Sequence, residues 1–268
     1  MSSVCVLLLA AVSLSAQKPG SSPEVKALRG PGEARLGSVA RLTVPAGYVF
    51  LDASNTRLFL KSRGEPVSGR EVGFLTTTNQ LWSVFFIFDE GGYVKDDEQD
   101  KLDAAKLLES IQQGVAKANQ ERQRKGAPTV EVTGWELPPK YDAAKHTLEW
   151  AIRGVCQGQP MVNYNARLLG RRGAMEAVLV VAPNRLQETL PVFRKVLGGC
   201  VYRAGQTYGE YEPGDRVAKY GLGALVVGGA ALGTEKLGWP AWALILAGCA
   251  AVAALAGTRF WKRGARKT

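Results

Sequence analysis

The apolar positions along the chain change period several times, and each change marks a new element. Arg41-Leu42-Thr43-Val44-Pro45 alternates polar and apolar residues and ends at a Pro-Ala-Gly turn, so it predicts a half-buried strand with regular structure starting near Val39. Residues 71–78 and 81–88 predict two further strands paired around Asn79-Gln80. The second of these, Trp82-Ser83-Val84-Phe85-Phe86-Ile87-Phe88, is apolar on both faces, as a central strand covered on each side requires. The period then turns helical. Ala104, Leu107, Leu108, Ile111, Val115 and Ala118 share one face, acidic residues crowd the start, and Arg122, Arg124, Lys125 and Gly126 close it, which predicts a helix over 96–125.

Strand patterns return over 129–137, 146–153, 161–169 and 174–181, the last two joined by Gly170-Arg171-Arg172-Gly173, a turn suited to a hairpin. Asn184 with Gln187 offers a cap for a closing helix that buries Leu186, Leu190, Phe193 and Leu197 and stops at Gly198-Gly199; Pro191 is expected to kink it or delay its start. Hairpin-connected strands interrupted by two main helices define an α+β domain with one antiparallel sheet, over residues 39–216.

Both ends differ from this middle. Residues 4–16 form an uncharged apolar run of signal-peptide length, so 1–16 reads as a secretory signal. Residues 17–38, rich in Pro, Gly, Ser and charge, read as a flexible leader. Pro240 to Phe260 is apolar until Arg259 and is bracketed by Trp239, Trp242 and Trp261; at ~1.5 Å per residue it spans a hydrocarbon core, so 239–261 is expected to be a transmembrane helix. Tyr220 to Gly233 is apolar and glycine-rich but short for a span, and within a 217–238 segment it reads as interfacial or partly inserted.

The formal net charge of +10 belongs mainly to this C-terminal end. Residues 217–268 carry seven Lys/Arg and one Glu, +6, against 27 Lys/Arg and 23 Asp/Glu, +4, in residues 17–216. Five of the basic residues follow the apolar run, and 262–268 is a basic tail, as a cytoplasmic anchor requires. The charge therefore points to a membrane surface and its lipids, and no nucleic-acid-binding motif accompanies it. The domain is expected outside the cytoplasmic membrane, with the tail inside.

Candidate chemistry is sparse. The single histidine, His146, lies on an expected strand with no Gly-x-Ser-x-Gly, no phosphate loop and no His- or Cys-rich metal motif in the chain. No catalytic residue, metal or cofactor is assigned from the sequence. The acidic run at Asp96, Glu98 and Asp100 fits helix-dipole complementarity better than a calcium loop, because Lys101 and Leu107 stand where Gly and Glu are needed. Cys156 and Cys200, the cysteines of the expected exported domain, are either one disulfide or two unpaired core residues.

Several phrases then fit together: Leu42-Thr43-Val44-Pro45-Ala46-Gly47-Tyr48; Gly92-Tyr93-Val94-Lys95-Asp96-Asp97; Gly134-Trp135-Glu136 with Pro138-Pro139-Lys140-Tyr141-Asp142; Leu148-Glu149-Trp150-Ala151; the run from Val162 to Gly173; and Pro213-Gly214-Asp215-Arg216-Val217-Ala218-Lys219-Tyr220-Gly221-Leu222. Together they resemble a bacterial family of uncharacterised membrane-anchored proteins, domain of unknown function 2167, over roughly residues 40–238. The resemblance implies export and membrane anchoring and carries no catalytic residues. A more distant likeness to the PsbP-like α+β fold rests on element order alone.

Within the most specific phrase, Val162, Tyr164, Ala166 and Leu168 share one strand face, and Asn163, Asn165 and Arg167 the other. An apolar core face with a polar solvent face accounts for this pattern. A sharper reading makes Trp135, Tyr141, Asn163, Asn165 and Arg167 a recognition surface, with Arg171 and Arg172 reaching anionic headgroups or an envelope protein partner. The expected function is thus a membrane-anchored, non-enzymatic binding or scaffolding module. The alternative is an envelope hydrolase using carboxylates such as Asp89, Glu90, Asp96 or Asp97.

Overall fold

A computed structural model describes residues 25–62, 67–124, 126 and 128–228. The expected signal (1–16), transmembrane helix (239–261) and basic tail (262–268) lie outside the described residues, as does the stretch 229–238. Among the described residues no helix is long and apolar enough to cross a membrane.

The strands in chain order are β1 (Leu28–Arg29), β2 (Gly32–Leu36), β3 (Ala40–Val44), β4 (Tyr48–Asp52), β5 (Glu71–Thr77), β6 (Trp82–Asp89), β7 (Val130–Asp142), β8 (Thr147–Cys156), β9 (Gln159–Gly170), β10 (Gly173–Val181) and β11 (Cys200–Tyr202). The helices are α1 (Ala53–Ser62), α2 (Ala104–Arg124), α3 (Leu186–Gly198) and α4 (Leu222–Val227). Eight strands form one antiparallel sheet in the order β1-β4-β5-β6-β10-β9-β8-β7, and β11-β3-β2 form a second, three-stranded sheet. The architecture is α+β.

Strand alternation assigns the large sheet two buried faces. On one, Phe86, Tyr164, Ala166, Ala177 and Leu179 pack against α3, through Leu186 and Phe193, and against the small sheet, through Leu36 and Leu42. On the other, Leu148, Trp150 and Ile152 pack against α2, through Ile111 and Val115, and against α4, through Leu222, Leu225 and Val226. Leu60 of α1 packs with Phe74 and Phe85 on that same face. Cover on both sides explains why β6 is apolar at nearly every position from Trp82 to Ile87 and sits between β5 and β10 inside the sheet.

Several expectations change. Strands β1 and β2 occupy the stretch expected to be a flexible leader: Glu33-Ala34-Arg35-Leu36 alternates, and Ala34 and Leu36 bury into the core, too short a run to stand out among Gly, Pro and charge. α2 starts at Ala104 instead of Asp96, because the Asp103 carboxylate accepts from the amides of Ala105 and Lys106 and caps the helix there. Asp96 itself is bound elsewhere. α3 starts at Leu186 after a 3₁₀ turn over Pro183–Arg185, with no side-chain cap from Asn184, and it accommodates Pro191 inside.

α1 has no counterpart among the expected elements, although Asp52 accepts from the Asn55 amide at its start. His146 lies in the β7–β8 turn at φ 47°, one residue before β8. Cys156 and Cys200 are free thiols, the first in the core under α2 and the second against the opposite face of the sheet, so no disulfide joins them. Burial pushes the Cys200 thiol up to about 12.

Candidate functional site

Four chain segments meet at one end of the large sheet: residues 90–103 after β6, the β7–β8 turn, the β9–β10 turn and residues 203–220 after β11. Backbone hydrogen bonds tie them. Gly92 N–H donates to Arg172 (3.1 Å), Tyr93 N–H to Arg216 (2.8 Å), Ala218 N–H to Tyr93 (2.8 Å), Arg171 N–H to Gln206 (2.9 Å) and Leu169 N–H to His146 (2.9 Å). The glycines flanking Arg171-Arg172 serve this closeness: a Cβ on Gly173 would collide with the Asp89 carbonyl, and one on Gly170 with the Tyr202 ring. Arg171 then grips the last segment, its Nε 2.6 Å from Asp215 Oδ2 and its Nη2 2.9 Å from Glu212 Oε2. These bonds raise the guanidinium pKa further and hold the Asp215 carboxyl below its ordinary range.

The assembled loops stack four rings in a row. The centroids of His146 and Tyr208 are 4.2 Å apart, those of Tyr208 and Tyr93 4.5 Å, and those of Tyr93 and Tyr211 4.4 Å, with interplanar angles of 32°, 21° and 34°. Tyr211, at the end of the row, is 37% exposed. At the other end Asp96 Oδ2 accepts from Tyr141 O–H (2.8 Å) and lies 3.5 Å from His146 Nδ1, which is 3.3 Å from the Tyr141 hydroxyl. Partial burial alone would raise the Asp96 carboxyl; the hydrogen bond from Tyr141 is among the interactions that outweigh it, and the group lies below the usual carboxylate range. Burial and the Asp96 charge push the Tyr141 phenol upward, so it remains a donor.

Asn163, Asn165 and Arg167 share a face of β9 as alternation requires, but that face is buried. Arg167 Nη2 lies 2.8 Å from Glu176 Oε1 on β10, both side chains 6% exposed, and its Cζ sits 4.9 Å from the Trp150 ring centroid. Desolvation lowers the Arg167 pKa and raises that of Glu176, each opposed by the other's charge. Asn165 Nδ2 donates to Asn163 Oδ1. Arg70 pairs with Asp89 (3.4 Å), which accepts from Tyr220 O–H (3.3 Å).

The seven residues expected to form a recognition surface therefore separate. Tyr141, Arg171 and the exposed Arg172 belong to the sheet end. Asn163, Asn165 and Arg167 form a buried band beneath it. Trp135 is half-buried against the first turn of α2, its Nε1 donating to the Ala104 carbonyl (2.9 Å). Asp89 and Asp96 are committed to different partners, and among the described residues no group of three or more His, Cys, Asp or Glu could hold a metal. Sequence reasoning missed the ring row itself. Tyr93, Tyr208 and Tyr211 share no sequence period, and only their density with His146 could have hinted at it.

Fold and site together define an antiparallel α+β domain whose loops build an aromatic, hydrogen-bonded end. The chain belongs to the family described as "Protein of unknown function (DUF2167)", whose model matches residues 28–258. Among curated proteins, none matches the sequence. Among solved structures, the chain is similar to cyanobacterial PsbP (CyanoP) from Synechocystis sp. PCC 6803, at 12% identity and TM-score 0.41 over 70% of this chain and 99% of that one. It is also similar to the immunity protein TplEi of T6SS from Pseudomonas aeruginosa, at 11% identity and TM-score 0.26 over 64% of this chain and 75% of that one.

Proposed function

We propose that this protein is a non-enzymatic binding module of the bacterial envelope, tethered to the cytoplasmic membrane through residues 239–261, which takes an envelope protein partner on its aromatic sheet end. The observation that carries this reading is the four-ring row ending in exposed Tyr211, on the same sheet end as exposed Arg172. Stacked rings fixed by backbone pairing present rigid contact area that loses little entropy on binding, and tyrosine and arginine are the residues on which interface energy concentrates. Tethering rests on the apolar run and on the basic residues that follow it.

Crosslinking in intact cells, followed by partner identification, tests the reading. Tyr211→Ala combined with Arg172→Ala should abolish capture while changing stability by no more than ~1 kcal/mol, as surface substitutions do. Undiminished capture by the doubly substituted chain would remove this end from the site.

A further inference from the structure

The three-stranded sheet has one covered face and one open face. Alternation sends Ala34, Leu36, Leu42 and Val44 into the core and leaves Glu33, Arg35, Arg41, Thr43 and Val201 on the outside, where no described element covers them. In register, Val201 of β11 stands opposite Arg41 of β3, and Arg41 stands opposite Arg35 of β2, so one row across three strands holds two guanidinium groups and a valine. That valine is 43% exposed. Arg203, just beyond β11 and also exposed, donates from Nη1 to the Ser38 carbonyl (3.4 Å) in the β2–β3 turn.

This row is unfavourable by itself, because like charges directly opposite each other destabilise a sheet. Glu33 relieves it only weakly: its carboxylate lies 3.8 Å from Arg41 Nη1, with both side chains more than half exposed. The Arg35 side chain has no ion pair or hydrogen bond among the described residues. A phosphodiester anion meets both arginines. Its oxygens accept paired N–H groups from a guanidinium fork, and an apolar side chain beside the pair then faces lipid carbon instead of water. The charges on this side favour such a partner, with Arg35, Arg41 and Arg203 against Glu33. Arg171 cannot serve in the same way, since Asp215 and Glu212 hold it. The tether permits the contact. α4 closes at Gly228 on the opposite face of the large sheet, and the chain from there to Pro240 can extend about 40 Å, against sheets that pack ~10 Å apart.

We propose that the outer face of β2, β3 and β11 lies on the membrane that tethers the chain, Arg35 and Arg41 donating to the phosphates of anionic phospholipid headgroups and Val201 entering between them. The contact rests on the proposed tether, and it uses none of the stacked rings at the sheet end.

The test uses the full chain reconstituted in vesicles, with a benzophenone side chain replacing Val201 or, as a control, exposed Lys61 of α1 on the opposite face of the large sheet. In vesicles of phosphatidylcholine mixed with phosphatidylglycerol, irradiation should join phosphatidylglycerol to position 201, read by mass spectrometry, and leave position 61 without it. Vesicles of phosphatidylcholine alone should cut the lipid adduct at 201 about tenfold, and so should Arg35→Gln with Arg41→Gln in the mixed vesicles, as loss of two cations near an anionic surface requires. Equal adducts at the two positions, or an adduct at 201 undiminished in phosphatidylcholine alone, would overturn the proposal. If the double variant melts below the natural chain, the comparison of lipids decides by itself. Flotation separates this contact from the tether: a chain that floats with the vesicles yet gives no adduct at 201 overturns the docking and leaves the tether standing. A protein adduct in place of lipid in native membranes would assign the face to a protein and overturn the proposal as well.

Discussion

Glu176 is the residue whose loss should be felt most, because Arg167 would then remain buried against Trp150 without its paired carboxylate. Breaking a buried pair from one side costs ~3–5 kcal/mol, whereas replacing both partners with apolar residues of similar volume is often neutral. Glu176→Ala should therefore lower the melting temperature sharply, and Arg167→Met with Glu176→Leu should recover most of the loss in the same thermal melts. Glu210 governs a different response. Backbone donation from Gly205, with the Thr207 hydroxyl and amide, holds its carboxyl down at about 2 against an ordinary 4.5. A depressed carboxyl contributes stability that is complete above its unfolded value and lost as pH falls through its folded one. Melting temperature should thus drop between pH 4.5 and 2, and Glu210→Gln should make that drop shallower. Alternation placed Asn163, Asn165 and Arg167 on one face correctly, yet alternation carries no information about what lies over a face. That is why three buried residues read as a recognition surface.

At the scale of elements, β7 is an edge strand, and α2 covers its open side with side-chain amides. Asn119 Nδ2 donates to the Val130 carbonyl (2.7 Å) while its Oδ1 accepts from the Val130 amide (3.0 Å), and Gln112 Nε2 donates to the Val132 carbonyl (3.1 Å). The helix thus stands in for a missing neighbour strand and blocks pairing with another chain. Asn119→Ala should destabilise the protein by ~1–3 kcal/mol, the cost of backbone groups left open. Adding Gln112→Ala should raise concentration-dependent self-association, read by light scattering; a monodisperse double variant would show that the edge needs no such cover. The helix and strand periods were legible wherever six or more residues repeated, as in α2, β6, β9 and β10. Boundaries were not, because they depend on single bonds such as the Asp103 cap; β1 and β2 escaped because runs of two and five residues are too short to show a period, and α1 because two of the three residues it buries, Asn55 and Thr56, are polar.

For the whole molecule, the proposed tethering predicts which side of a membrane each end should occupy. α4 packs in the domain core with Trp150, which removes the first half of the Tyr220 to Gly233 stretch from the residues free to cross a bilayer and leaves Pro240 to Phe260 as the one expected span. A single span obeys the charge asymmetry: Arg259, Lys262, Arg263, Arg266 and Lys267 resist translocation far more strongly than acidic residues do, so the tail should stay inside and the aromatic sheet end outside. Leu244→Asp, Leu246→Asp and Val252→Asp together should release the protein from membranes, since each central charge costs ~2.5 to 3.5 kcal/mol on insertion scales. Orientation is read directly by labelling single cysteines in intact spheroplasts, one replacing exposed Lys61 on α1 and one replacing Thr268. Labelling at 61 but not at 268 is the expected result. Labelling at both would mean that the Tyr220 to Gly233 stretch leaves the domain core to form a second span, and labelling at neither would overturn export, and with it the envelope partner.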